Sequence, residues 1–398
     1  MANNLSSNIT RPLAKIFLEA FESSRVVTKT VNTQLLSGKF NPSTGTKVDF
    51  KRPHDYNTIR SAGGDISAAA KSDIIAGKAT GTVQEYFTAA TEWSNIQEAL
   101  ELDQLDQILE PMARRLVTDL ELDLAKFMRI NTGLNYGARG TAVDAWSDVA
   151  GAGAMMDSVG VPMSDNKYYL MNPFTTTSLA SAQSGLNAAD GLVRTAFEKA
   201  QIASNFGGMK ALTSNALSSY TSGSTTDRLG DLKTAPDATY VTAKDTMQQT
   251  MVIETLGTGT IEAGDQIQVA GVNRLNIATR QLILDATGAA VPWTGTVLSV
   301  VTIAGNEATV VVSGAAIFEA NGQYNNVDAA PAAGAVVTIL GAAATVYQPN
   351  LFYTEQAFGL GTVKLPKLYS TDTVATTSDG MSIRVSKYSD GDANTQKI

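Results

Sequence analysis

The sequence predicts an α+β protein that carries a small antiparallel β-barrel or sandwich as an insertion. Residues 94–131 repeat apolar side chains at three- and four-residue spacing, as a long amphipathic helix does. Residues 143–222 alternate helical patterns with short strands. From about Ser224 to Tyr347 the helical spacing disappears, and glycines punctuate short runs rich in Thr and Val. Because an α+β pattern resumes afterwards, we interpret this strand-rich region as inserted.

The central helix has three local signals. Ser94 and Gln97 predict a capping box at its start. Pro111 lacks a backbone N–H and clashes with the preceding turn, so it predicts a kink or the start of a second helix, and it is our hinge candidate. Gly133 lies just past the pattern and predicts a left-handed cap.

The strand predictions concentrate in the insertion, and one strand is expected on either side of it. Tyr168 to Met171 is expected as a buried strand that leads into a helix at Pro173, and Met381 to Lys387 as a late strand. The strands expected within the insertion are Thr239 to Ala243, Thr250 to Thr255, Gln266 to Val269, Thr296 to Ile303, Thr309 to Val312 and Val336 to Leu340.

Two segments before the central helix suggest contacts with other molecules. Residues 9–22 predict a short amphipathic helix, which either packs on its own chain or serves as an arm on a neighbouring subunit. Its apolar stripe comprises Leu13, Ile16, Phe17, Ala20 and Phe21. Residues 38–92 form a long connection, and such connections are often functional. We interpret it as an extended hairpin that reaches away from its own core.

Basic and acidic residues concentrate in different segments of the chain. Through residue 60 there are nine basic and four acidic residues, whereas residues 92–124 contain nine acidic and two basic ones. Either both segments form solvated faces, or the basic hairpin of one subunit lies across the acidic helix of the next, where complementary charge would set register and partner choice. The candidate residues for this contact are Lys51, Arg52, Arg60, Glu101, Asp103, Asp106 and Glu110.

The residues that catalysis requires are scarce. The chain has no cysteine and a single histidine, His54, so thiol chemistry and a His-rich metal centre are excluded. There is no Gly-x-Ser-x-Gly elbow and no phosphate-binding Gly-Lys-Ser/Thr loop. Asp390 to Asn394 resembles the start of a calcium loop, but Thr395 stands where that loop needs glycine, so we interpret it as a turn between strands. We expect neither an enzyme nor a cofactor.

The net charge and the apolar tracts limit the possible partners. A net charge of −8 is the opposite of what releases counterions from phosphates, so we expect only weak, non-specific contact with DNA. The longest apolar tract, Ala332 to Val346, is shorter than the roughly 18 residues of a membrane span. Met1 to Thr10 is polar and predicts no secretory signal, so we expect a soluble, cytosolic chain.

Seven segments, in the same order along the chain, carry a family resemblance. They are Phe50 to His54, Ile75 to Gly81, Ile108 to Leu120, Leu192 to Ala196, Asn205 to Gly208, Lys364 to Leu368 and Asp390 to Asn394. In number and order they resemble the major coat proteins of the short-tailed phages of Salmonella and Shigella, which share the Hong Kong 97 capsid fold. The resemblance covers essentially the whole chain and is nearest to the Shigella phage branch.

The resemblance implies a Hong Kong 97-like architecture with an N-terminal arm, an extended loop, a spine helix, an axial domain and the inserted barrel. The implied boundaries are 1–37 for the arm, 38–92 for the loop, 93–142 for the spine helix and peripheral domain, 143–223 for the axial domain, 224–348 for the barrel, 349–368 for the axial return and 369–398 for the peripheral return. It also implies a further strand-like segment after the position of Ile398.

The resemblance further implies the function and the partners. The chain is expected to form hexamers and pentamers of an icosahedral shell around double-stranded DNA, with a scaffolding protein and a portal as partners. Assembly is expected in the bacterial host cytoplasm and the product in the virion. Two alternatives remain open: a surface-layer or adhesin protein, which should carry a signal peptide, and a glycan-degrading tail protein, which should show a repetitive β-helix.

Overall fold

The computed structural model describes residues 18–33, 46–94, 105–184, 199, 202–363, 365–367, 372–386, 388–390 and 395–398. The chain divides into two compact units. The first unit comprises Met1–Val48, Thr82–Ala125 and Thr354–Ile398, and the second comprises Asp49–Gly81 and Lys126–Tyr353.

Within the described residues the helices are α1 (Leu105–Ile130), α2 (Trp146–Val159), α3 (Pro173–Ser184) and α4 (Tyr240–Ala243), with 3-10 turns at Val27–Lys29 and Ala62–Gly64. Residues 18–24 are also helical. The strands are β1 (Lys47–Lys51), β2 (Lys78–Thr82), β3 (Glu92–Ser94), β4 (Lys167–Met171), β5 (Asn205–Phe206), β6 (Met209–Thr213), β7 (Tyr220–Thr221), β8 (Leu229–Leu232), β9 (Gln248–Glu254), β10 (Thr260–Ile261), β11 (Gln266–Asn273), β12 (Pro292–Val297), β13 (Val301–Thr302), β14 (Ala308–Ser313), β15 (Val336–Ile339), β16 (Val346–Tyr347), β17 (Leu351–Thr354), β18 (Thr373–Thr376), β19 (Ser382–Val385), β20 (Tyr388–Asp390) and β21 (Thr395–Lys397).

The first unit is built on most of α1. The buried face of this helix packs with residues from both ends of the chain, in a core of Phe21, Ala113, Val117, Met381 and Val385. Strands β18 and β19 pair antiparallel, and β20, β21 and β3 form a three-stranded sheet. Leu109, Leu124 and Met128 of the apolar repeat are buried, as the spacing predicts, whereas Phe127 of the same repeat is 53% exposed.

Two expectations for the central helix are wrong, namely the cap at Ser94 and a second helix that begins at Pro111, whereas a kink at Pro111 stays a prediction. Ser94 is the last residue of β3 and pairs with Thr395, so strand pairing overrides its capping signal. Pro111 lies inside a single continuous helix, so no second helix begins there. With 26 residues, α1 is about 39 Å long at the usual rise per residue.

The second unit contains a four-stranded sheet with helices α2 and α3. The strand order is β17-β4-β6-β5, and β4 and β6 run parallel. Its core lies between the sheet and the helices and comprises Val149, Ala152, Met156, Tyr169, Met171, Leu179, Phe206 and Met209. The predicted buried strand at Tyr168 and the helix start at Pro173 are both confirmed.

The inserted region forms a closed six-stranded barrel, as the sequence predicts. The strand order around it is β11-β12-β14-β9-β8-β15. Its interior is apolar, and the indole of Trp293 is fully buried there beside Val310 and Ile267. Alternating burial along β14 explains why this strand was predictable from its sequence.

Two strand predictions in the insertion are wrong. Residues Thr239 to Ala243 contain a short helix, because the Asp237 carboxylate accepts hydrogen bonds from the Thr239 amide at 2.9 Å and from the Thr242 hydroxyl at 2.6 Å and so starts a helical turn. The stretch Thr296 to Ile303 is two strands, since β12 ends at Val297 and β13 begins at Val301.

Candidate assembly surfaces

The described part of the predicted arm, from residue 18 onward, is bound within its own unit. Phe21 is 6% exposed and lies in the core of that unit. At this residue the predicted helix packs on its own chain, which is the first of the two alternatives given above. One oxygen of the buried Glu121 carboxylate accepts hydrogen bonds from the amides of Val26, Val27 and Thr28, and the bond from Val27 is 2.8 Å long. The other arm candidates, Leu13, Ile16 and Phe17, lie outside the described residues.

A buried arginine joins the same segment to the C-terminal part of the chain. The Arg25 side chain is fully buried, and its guanidinium contacts the Asp379 carboxylate at 2.5 Å. Burial raises the pKa of Asp379. Hydrogen bonds from Arg25 and Ser378 and the nearby charges of Arg25 and Lys29 outweigh that effect and lower the pKa below its ordinary 3.8.

This ion pair predicts a pH dependence. The folded pKa of Asp379 lies below its unfolded value, so the pair stabilises the fold above the unfolded pKa, and the gain is lost as pH falls through the folded pKa. Near pH 7 we expect the wild type to have a higher urea midpoint of unfolding than Asp379→Asn, and we expect this difference to shrink as pH falls below the ordinary pKa of 3.8 and through the lower folded pKa. A gap that persists in acid would contradict the assignment; Asp123→Asn, an exposed carboxylate of α1, is the control.

The acidic helix carries less uncompensated charge in its described part than its composition suggests. Glu110 is exposed and pairs with Arg114 at 2.5 Å, and Asp119 pairs with Arg115 at 3.0 Å. Glu121 points inward, as described above. The side chains of Asp106, Glu101 and Asp103 lie outside the described residues.

The basic hairpin does not reach away from its own unit. Strands β1 and β2 pair to form its stem, and Lys51 and Arg60 are exposed, whereas Arg52 is half-buried and donates from Nε to the Lys78 carbonyl at 3.2 Å. Beyond the stem, the loop contacts the barrel, where Asp55 forms an ion pair with Arg280. The expected free-standing hairpin is therefore wrong for these residues.

An arginine cluster at the end of α1 corresponds to no motif in the sequence. The guanidinium carbons of Arg129 and Arg139 lie 4.3 Å and 5.5 Å from the ring centre of Tyr220. Arg228 Nη1 lies 3.9 Å from the fully buried carboxylate of Asp265. Burial lowers the pKa of Arg139 to about 10, and the charge of Asp265 opposes this shift.

This cluster connects segments that are distant in sequence. Arg129 and Arg139 donate to the carbonyls of Ala263 and Gly264, at 3.4 Å and 3.2 Å, so the last turn of α1 and the residues that follow it are attached to a turn of the barrel region. Because the partners are more than 100 residues apart, no local motif could have identified them. Stacked and buried arginines are well suited to fixed contacts, so the cluster holds these segments of the second unit together.

A second close contact forms just after α1, at Gly133. Gly133 does not adopt the predicted left-handed conformation. A side chain here would approach the Cα of Gly314 to 3.2 Å, and the Gly133 carbonyl accepts a hydrogen bond from Thr294 at 2.6 Å. Close approach of two backbones, rather than helix capping, is what this glycine permits.

The described residues contain no cluster of side chains that could hold a metal ion. No three or more His, Asp or Glu side chains come together there in that way, and His54 is exposed. Strands β20 and β21 pair antiparallel, and residues 391–394, where a turn is predicted, lie outside the described residues. Among the same residues, no helix is both long and apolar enough to cross a membrane.

Comparison with known proteins gives a match along the full length. Residues 1–398 match the family described as P22 coat protein, gene protein 5. The major capsid protein of Acyrthosiphon pisum secondary endosymbiont phage 1 is 46% identical over 403 residues, which cover 100% of this chain and 95% of that protein.

Solved structures similar to this one include two from phages. The structure from Mycobacterium phage Che8 has a TM-score of 0.35 at 15% identity and covers 72% of this chain and 88% of its own. The structure of the bacteriophage PhiM1 mature capsid has a TM-score of 0.33 at 11% identity, and the match covers 76% of this chain and 81% of that one. The match of the whole sequence shows that this chain belongs to the P22 coat protein family.

Proposed function

We propose that this chain is the structural subunit of a bacteriophage capsid, which self-assembles into hexamers and pentamers and encloses double-stranded DNA. The observation that carries the proposal is the family match along all 398 residues, together with 46% identity to a major capsid protein. The scarcity of reactive side chains agrees with a role that depends on packing, and we propose no enzymatic activity and no cofactor.

The proposed architecture is the Hong Kong 97 type. In this proposal α1 is the spine helix, the sheet with α2 and α3 is the axial domain, and strands β18 to β21 return to the peripheral domain. The six-stranded barrel is the insertion. Element order along the chain supports this assignment, with the arm at 1–37, the loop at 38–92 and the barrel at 224–348.

Axial domains are proposed to pack head-to-tail around five- and six-fold axes, because such contacts close into rings when the rotation permits. The exposed Lys51 and Arg60 then face the acidic part of a neighbour's spine helix, and the arm residues Leu13, Ile16 and Phe17 contact adjacent subunits. Pro111 is the proposed bending point during shell expansion. Each contact is weak, but many act together, so the closed shell lasts far longer than any pair.

The proposed partners are other copies of the chain, a scaffolding protein and a portal. Packaged DNA is contacted only weakly, in agreement with the net charge of −8. The proposed location of the protein is the host cytoplasm during assembly and the virion capsid afterwards. A surface-layer or adhesin role is the alternative, and no observation on the described residues favours it.

Reversing two exposed loop charges tests the proposed contact. The variant Lys51→Glu/Arg60→Glu should fold normally, because both side chains are exposed, but should lower the yield of assembled particles roughly tenfold or more through like-charge repulsion. Particle yield is measured by sedimentation and folding by circular dichroism. The matched control is Lys126→Glu/Lys367→Glu, which makes the same charge change at exposed positions outside the loop. Equal yields from the two variants would refute the charge contact.

A further inference from the structure

One face of the barrel region receives the extended loop of its own chain. We name this face the seat and define it by Tyr240, Lys244, Arg280, Gln323 and Tyr324. The rings of Tyr240 and Tyr324 stack at its centre, with centroids 3.7 Å apart and planes 11° from parallel. A stacked aromatic pair gives a rigid apolar surface, because each ring has only two side-chain torsions to fix.

Polar contacts extend along both legs of the loop. On the outgoing leg, Asp55 pairs with Arg280, and the Asn57 amide donates to the Asn321 carbonyl at 2.7 Å. On the returning leg, the Gln323 amide donates to the Asp73 carbonyl at 2.6 Å. Because the Asp73 carbonyl belongs to the main chain of the loop, this last contact fixes the path of the loop backbone as well as the position of a side chain.

The loop fits most tightly at Gly77. A Cβ atom here would lie 2.8 Å from the Tyr240 hydroxyl oxygen and 2.8 Å from the Lys244 carbonyl oxygen, which is closer than atoms can pack. Two residues earlier, Ile75 packs against the cluster that contains Tyr240 and Tyr324. The next amide, that of Lys78, donates to the Asp245 carboxylate at 3.2 Å. Glycine is therefore required by the space available, and not by its φ angle.

The seat is held in place independently of the loop. The Arg280 guanidinium also donates to the Asn325 carbonyl at 2.7 Å and to the Gln323 carbonyl, so it is fixed before any carboxylate reaches it. Arg280 and Asn321 both have φ of 58°, and Met247, beside Tyr240, has φ of 54°. Left-handed backbone at non-glycine residues persists only where the surrounding structure determines it, and it concentrates at functional positions.

We propose that the barrel is an intrachain clamp, which sets the conformation of loop residues 53–78 before two subunits meet. Arg60, which lies within this loop, is then held at a defined position by the subunit itself. Because a loop that is already ordered loses less entropy on association, the clamp lowers the cost of each contact between subunits. This last consequence rests on the proposed function, whereas the clamp itself is a property of the single chain.

Hydrogen exchange of the unassembled protein tests the clamp directly. Asp55→Asn keeps the shape of the side chain and removes its charge, so peptides covering residues 53–78 should exchange about tenfold faster, with barrel strands unchanged. The control is Asp65→Asn, which removes the charge of an exposed carboxylate in the same loop, keeps the oxygen that accepts from the Ser67 amide and should leave exchange as in wild type. If the two variants exchange alike, or if the wild-type loop is unprotected, the clamp does not exist.

Two further variants separate loss of the clamp from damage to the seat. The pair Asp55→Arg/Arg280→Asp restores opposite charges, and aspartate tolerates the left-handed backbone at 280, so it should recover part of the protection that Arg280→Asp alone removes. Gly77→Ala should release the loop while leaving Asp55 and Arg280 intact. If no shells form from the wild type although its loop is protected, the proposed function fails and the clamp stands.

Discussion

Replacing Asp265 with asparagine should lower the free energy of unfolding by about 3–5 kcal/mol, the usual cost of removing one partner from a buried ion pair. Asp265 is fully buried and lies 3.9 Å from Arg228, and its charge also acts on Arg129 and Arg139. Asparagine fits the same space, so packing is preserved. The three guanidinium groups lose the negative charge that offsets their burial.

Urea unfolding followed by near-ultraviolet circular dichroism measures this effect, provided that the slope with denaturant is unchanged. The matched control is Asp227→Asn, an exposed carboxylate in the same region, which should shift stability by less than about 0.5 kcal/mol. If Asp265→Asn is no more destabilising than Asp227→Asn, the arginine cluster does not depend on that carboxylate.

Removing the indole of Trp293 should destabilise the barrel by about 3–5 kcal/mol, as other large-to-small substitutions in packed cores do. Trp293 is fully buried on β12, and its indole nitrogen donates to the Gly314 carbonyl at 2.9 Å. Gly295 lies under the ring, since a Cβ there would lie 2.6 Å from the indole. Trp293→Ala therefore leaves a cavity and an unsatisfied carbonyl.

The conservative variant divides this cost into its parts. Trp293→Phe keeps an aromatic ring in the barrel and removes the hydrogen bond, so it should cost less, on the order of 1–3 kcal/mol. Both values come from the same urea titrations. Equal losses in the two variants would mean that the hydrogen bond, rather than ring volume, determines the effect of this residue.

Regular periodicity made much of the fold predictable. The apolar spacing of α1 and the alternation along β14 each follow from burial of one face, and burial leaves a mark in consecutive residues. Local signals were weaker wherever a distant partner competed with them. Serine is a common helix cap, but Ser94 pairs with Thr395 in a sheet. Threonine is common in strands, but the Thr239 amide donates to the Asp237 carboxylate, which starts a helical turn. Strand pairing and side-chain acceptors decided these two positions.

The surfaces were less predictable than the elements. Lys51 and Arg60 were identified from charge alone, and the structure leaves both exposed. Arg280 and Asp55 are 225 residues apart, and neither belongs to a motif, so their contact follows only from the folded topology. The acidic composition of α1 likewise did not reveal that Glu121 points inward and binds the amides of Val27 and Thr28.

The central claim is that copies of this chain bind one another to form a closed container. Electron microscopy of the protein, co-expressed with the genes adjacent to its own, tests it most directly. The account predicts closed, isometric shells whose surface shows clusters of six and five subunits, with α1 and the barrel of each subunit resolved at higher resolution. Monomers alone, or open sheets and filaments without closure, would contradict it.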